Sequence, residues 1–290
     1  MREHIFICEF DKTLLDQLHN KCVVVKTSDC ERIHDILQHV TKRNIRLHCI
    51  LIEHNGSLAS VPFHESWRKI PMAIFANVMG SFKEIMGRLP ILREHNLRIF
   101  LNTDNKENFT SLHILSSLGI DCGVYFGDNE KIDWDSMNDL MTYSVYGKVG
   151  HGTIEPFYYT VSRYNPANLT DYSMVYFDNP RQYLHIDKAQ NIALTASHLK
   201  EGKYITQGLT NLNQPDINDK IEDYLLSWQE FFLKEDGCAY CQGWRVCMGK
   251  FSETYIKNQG CRQFFVDIMD AADHFLQVQQ KNKRKELWQP

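Results

Sequence analysis

The sequence predicts an α/β fold: a partial (β/α) barrel or curled, mainly parallel sheet, followed by a small α+β cysteine module. Three observations carry this expectation. Apolar, β-rich runs alternate with amphipathic stretches over the first half of the chain. After residue 155 the segments become short and are separated by turn residues. Four cysteines then crowd between residues 238 and 261.

Taken in order, Val23-Val24-Val25 reads as a short strand, and residues 30–44 as a helix with Ile33, Ile36, Leu37 and Val40 on one face. Leu47 to Ile52 is a nearly continuous apolar run, as in a strand buried on both faces, and Ile70 to Val78 is another. Phe82 to His95 reads as a helix interrupted at Pro90, and Leu97 to Leu101 as a strand ending at Asn102-Thr103-Asp104. Asn108 to Leu118 is helical with a Gly119 stop, Asp121 to Phe126 a strand, and Trp134 to Val149 a helix. These βα units imply a mainly parallel sheet, open or curled.

Beyond residue 155, Phe157 to Val161 is expected to add a strand. Tyr172 to Phe177, Gln182 to Ile186 and Asn191 to Thr195 are expected as antiparallel hairpin strands. Ile217 to Leu233 is a strongly amphipathic helix, with Ile221, Tyr224, Leu225, Trp228, Phe231 and Phe232 apolar. A closing helix runs from Cys261 to about Gln280, and the basic run Lys281 to Lys285 reads as its solvated end. The predicted division is therefore 1–155 for the sheet and 156–290 for the module.

Composition excludes several classes. A formal charge of −4 offers no broad basic field for a nucleic-acid backbone. The N-terminal residues lack the apolar core of a signal peptide, and no run is long enough to span a bilayer, so a cytoplasmic protein without a membrane partner is expected. No phosphate loop, dinucleotide fingerprint or Ser-His-Asp signature is present.

The nine cysteines fall into two groups. Cys8, Cys22, Cys30, Cys49 and Cys122 are scattered and read as small buried hydrophobes. Cys238, Cys241 and Cys247 form a C-x2-C-x5-C pattern, and Cys261 follows thirteen intervening residues later. A C-x2-C step lets one tight turn present two thiolates to one metal. The next step brings in a third, and a cysteine at the start of a helix can close the shell. Four thiolates suit tetrahedral zinc or an iron–sulfur cubane.

With a Trp-Arg pair ahead of the third cysteine (Trp244-Arg245), this pattern resembles the SPASM region. That region is the C-terminal auxiliary-cluster module of radical S-adenosylmethionine enzymes that modify peptides and proteins. The layout is similar too: a hairpin at residues 183–195, then the helix 217–233, then the cysteines. The resemblance covers residues 155–275 by motif and residues 20–160, as a reduced barrel, by layout alone.

The departures are as informative. The family holds its first cluster with C-x3-C-x2-C after the first barrel strand, and this chain has no such triplet. The loop after Ile52 reads Glu53 to Ser60 without a thiol, and the loop after Val25 offers only Cys30. Full members also draw on two hairpin cysteines and one shortly after the C-x5-C step for a first auxiliary cluster. Here those places hold Thr195-Ala196-Ser197 and Phe251. The resemblance thus implies a non-radical relative carrying one [4Fe–4S] cluster on Cys238, Cys241, Cys247 and Cys261, with zinc as the alternative. It implies an accessory role in ribosomal peptide or protein modification, with a precursor peptide or a partner maturase bound. The competing expectations are a zinc-stabilised interaction module, or a non-radical enzyme using Asp104, His151 and Glu155 at the barrel mouth. His54 and His64 flank a loop at that mouth, and Asn102-Thr103-Asp104 reads more economically as a helix cap.

Overall fold

A computed structural model describes residues 3–127, 132–234, 238, 240–251 and 260–287. The chain divides into two compact units, each made of two stretches: Met1–Asn102 with Tyr176–Ser227, and Thr103–Val175 with Trp228–Pro290.

The first unit is an α/β sheet. Its strands are β1 (Ile5–Glu9), β2 (Cys22–Thr27), β3 (Arg46–Ser57), β4 (Met72–Val78), β5 (Leu97–Asn102), β8 (Tyr183–Ile186), β9 (Asn191–Ala193) and β10 (Thr206–Gln207). They lie in the order β10-β9-β8-β1-β2-β3-β4-β5. From β8 to β5 every pairing is parallel, while β8–β9 and β9–β10 are antiparallel. The sheet is open and is not closed into a barrel. Strands β1 and β2 are apolar and buried at successive positions because both faces are covered.

Between strands run α1 (Lys12–Gln17), α2 (Ile33–Arg43), α3 (Phe82–Glu94) and the short α7 (Ala196–Lys200). Asp11 starts α1 by accepting the Leu14 amide at 2.9 Å. Ile33, Ile36 and Val40 form the buried stripe of α2, which stops at Asn44 in the left-handed region. Pro90 lies inside α3 without ending it. Between β3 and β4 the connection is two 3-10 turns and no α-helix.

The second unit holds β6 (Cys122–Tyr125) and β7 (Ile154–Glu155), paired in parallel. Its helices include α4 (Glu107–Ser117), α5 (Trp134–Tyr146), α6 (Phe157–Arg163), the single turn α9 (Trp244–Cys247) and the long α10 (Gly260–Leu287). Helix α10 packs on α5, α6 and α9. Helix α8 (Pro215–Lys234) contains the boundary between the units. Ile217 and Ile221 are its buried positions, and the side chains of Trp228, Phe231 and Phe232 lie outside the described residues.

Two expectations are corrected. Phe157 to Val161 is helix, not strand. Phe157, Thr160 and Val161 are buried while Tyr158 is exposed, which is the i, i+3, i+4 spacing of a helix face. Tyr172 to Tyr176 is a 3-10 turn, not a hairpin strand, because Asp171 accepts the Ser173 amide at 2.9 Å and turns the backbone there. The closing helix also continues through the basic run to Leu287.

Candidate metal centre

All four clustered cysteines belong to the second unit. The amide of Cys241 donates to the Cys238 carbonyl at 3.0 Å, closing the C-x2-C step as a tight turn. The Trp244 amide donates to the Cys241 carbonyl, and the Cys247 amide reaches the Gly243 carbonyl at 3.0 Å, so the turn runs directly into α9, which carries the third thiol. Met248 (φ 51°) and Gly249 (φ 77°) then reverse the chain. This reversal aims the backbone amides of Phe251 and Gly249 at the Cys247 sulfur.

Cys261 sits in the first turn of α10, a 28-residue helix whose unpaired N-terminal amides favour a thiolate. The amides of Arg262 and of Cys261 itself act on its sulfur. Gly243 lets α9 approach α10, since a Cβ there would stand 2.4 Å from the Phe265 Cβ. Gly260 does the same for α5, where an added Cβ would meet the Trp134 Cβ at 2.7 Å.

The electrostatics tie the four thiols together. Burial pushes Cys247 up to about 12, against the amides of Phe251 and Gly249, with Cys261 and Cys238 adding to the rise. Burial likewise pushes Cys261 up to about 11, with Cys241 and Cys238 adding to it. Each of the four therefore lies within electrostatic reach of at least one other. Cys247 and Cys261 are buried, whereas Cys238 and Cys241 are half-buried. An aromatic wall stands beside them: Phe251 meets Trp134 edge-on at 5.3 Å and Phe265 at 5.5 Å, and Phe264 meets Phe265 at 5.0 Å.

Among the described residues no three His, Cys, Asp or Glu side chains are arranged as a metal cage. In donor chemistry the set fits a soft metal or a cluster: four sulfurs, amides aimed at two of them, and apolar cover.

The other sequence candidates are engaged locally. The Glu155 carboxylate, buried, accepts the Tyr159 amide at 2.9 Å. His151 Nδ1 lies 2.8 Å from the Gly152 carbonyl, and its ring packs on Tyr143. Asp104 is exposed in the turn after β5. His54 Nε2 is 2.7 Å from Ser60 Oγ, and His64 caps a 3-10 turn through Nδ1. Sequence reasoning placed the thiols but not the amide donors. Their aim depends on a left-handed Met248, for which a methionine gives no signal.

No helix among the described residues is long and apolar enough to cross a membrane. No family model matches the chain, and no curated protein matches it.

Proposed function

We propose that the chain is a non-radical, cluster-bearing accessory protein of ribosomal peptide or protein modification. In this reading Cys238, Cys241, Cys247 and Cys261 hold one [4Fe–4S] cluster. The observation that supports it is that Cys247 feels the charges of Cys261 and Cys238, and Cys261 those of Cys241 and Cys238, with backbone amides directed at both sulfurs. No disulfide joins the described cysteines, which suits the reducing cytoplasm assigned here.

When bound, such a group supplies one-electron transfer or a cross-link, since full protein ligation leaves no open iron. The chain's own residues do the rest. In this reading the C-x2-C turn and α9 supply three of the sulfurs, and α10 supplies the fourth. Phe251, Phe264 and Phe265 form one apolar cluster, and the directed amides favour the thiolate form. No C-x3-C-x2-C triplet is available for cofactor cleavage. A precursor peptide, or the enzyme that modifies it, is the assigned partner.

Anaerobic purification followed by metal and sulfide analysis tests the centre. The expected result is a brown protein with about four irons and four sulfides per chain. A colourless protein with one zinc overturns the cluster and leaves a zinc-stabilised interaction module. Co-purification with a peptide encoded beside the gene tests the partner, and a peptide with no measurable affinity overturns that assignment.

A further inference from the structure

The parallel sheet of the first unit reverses its direction of growth at β1. Strands β2 to β5 add on one side of it, and β8 returns to pair with it on the other. Loops leaving the carboxyl ends of strands diverge at such a reversal, and open α/β sheets take their ligands in the crevice that results. Here it is a cavity of about 400 Å³, beside a second of about 230 Å³. The two share Ile7, Lys26, His185 and Ala196. Leu14, Ile186 and Leu199 give the larger one an apolar wall.

His185 lies where the two cavities meet. It stands opposite Ile7 in the β8–β1 register, and its side chain is only 9% exposed. Its Nε2 is buried without a hydrogen-bond partner. The carboxylate of Asp178 is 3.8 Å away, beyond hydrogen-bonding distance. Burial, and then the charge of Lys26, hold the imidazole down at about 4, so the ring is neutral near pH 7. Buried polar atoms normally have partners, and an orphan inside a cavity points to a group that arrives from outside.

The surrounding charges indicate which group. Lys26, 15% exposed, sits 2.7 Å from Glu53 and 3.7 Å from Glu9. With Asp178, three carboxylates and one ammonium line the two cavities. At the outer rim Asp11 and Asp187 balance Lys188 and Lys200. Asp11 is committed to the Leu14 amide, and Asp187 to the amides of Ala189 and Asn191. The inner crevice therefore carries surplus negative charge beside an unused acceptor.

We propose that this crevice binds a small organic cation, a primary ammonium on an aliphatic chain. The ammonium donates to His185 Nε2, in the tautomer protonated at Nδ1, and pairs with the Asp178 and Glu9 carboxylates. The chain lies along Leu14, Ile186 and Leu199. The proposal is independent of any metal at the cysteines.

Calorimetry and histidine NMR on the intact protein as purified test it with three probes of equal length: hexylammonium, hexanoate and 1-hexanol. Hexylammonium is expected to bind at least tenfold tighter than either other probe and to shift the His185 ring resonances. His185→Phe should reduce that affinity at least tenfold. Asp178→Asn should weaken it several-fold, and Lys26→Met, which removes the competing cation, should tighten it. Equal or tighter hexanoate binding overturns the proposal, as does equal hexanol binding, silence from all three probes at millimolar concentration, or undiminished binding by His185→Phe. If His185→Phe does not fold, by circular dichroism, the Lys26→Met result decides, and weakening there overturns the proposal.

Discussion

Cys49 in the first unit and Cys247 in the second are buried alike, and burial pushes both thiols up to about 12. Their company differs. Cys49 is influenced by the Ala73 amide and Arg98, and its own S–H points at the Ile50 carbonyl at 3.3 Å. Cys8, also near 12, has only the carboxylates of Glu9 and Asp11 to push it further from ionisation. Cys247 instead receives two backbone amides and feels Cys261 and Cys238. Burial by itself makes a thiol inert. Convergence with other thiols, under directed amides, is what distinguishes a candidate ligand.

The sharpest way to break this contrast is to exchange the residues. Cys247→Ala should reduce bound metal to near zero and destabilise the second unit by several kcal/mol, because metal binding and folding are coupled at such sites. Cys49→Ala should leave metal content unchanged and lower stability by roughly 1 kcal/mol, as expected for a small buried group. Metal analysis with thermal melts of both variants separates the outcomes. Equal metal loss in both would erase the distinction.

Mild acid probes the first unit through His185. His185 titrates near 4 in the folded chain against 6.5 when unfolded. The unfolded chain thus binds the extra proton between these values, so stability is full above about pH 6.5 and falls as the pH drops towards 4. The fall amounts to about 3 kcal/mol for one group shifted this far. Urea titrations at pH 7 and pH 4.5 should show it, and His185→Phe should flatten the slope. An unchanged slope in the variant would assign the acid sensitivity elsewhere.

Two glycines sharpen the contrast in packing. Gly243→Ala forces a Cβ to 2.4 Å from Phe265 and should cost about 1–3 kcal/mol, with weakened metal retention. Gly87, inside α3, has nothing within 4 Å of an added Cβ. Gly87→Ala should therefore stabilise the chain by up to about 1 kcal/mol through helix propensity. Melting temperatures moving in opposite directions are the expected readout.

Much of the first unit was legible because its parallel strands are continuous apolar runs. Leu47 to Ile52 is an example, and the α2 stripe has plain helical spacing. Phe157 to Val161 misled because aromatic and β-branched residues favour strands locally, while packing made them a helix. The β8–β9 hairpin could be read from its turn residues. The parallel seat of β8 against β1 could not, since no local pattern specifies a partner so distant in sequence. At the candidate site the thiols were visible in their spacing and the amides were not. His185 was hidden inside Tyr183-Leu184-His185-Ile186, a run whose apolar character marked only a strand.

The pairing of Ile5 with Tyr183 also has a consequence for synthesis. At about 5–20 residues per second, β1 waits on the order of 10–35 s for its partner to be made. Throughout that interval one side of β1 presents unpaired amides and carbonyls, the template on which strands from other chains add. Closing so long a loop is also entropically slow. The step most exposed to misassembly is therefore the docking of the returning strand, and the yield of folded protein should depend on how well the growing chain is shielded until β8 arrives.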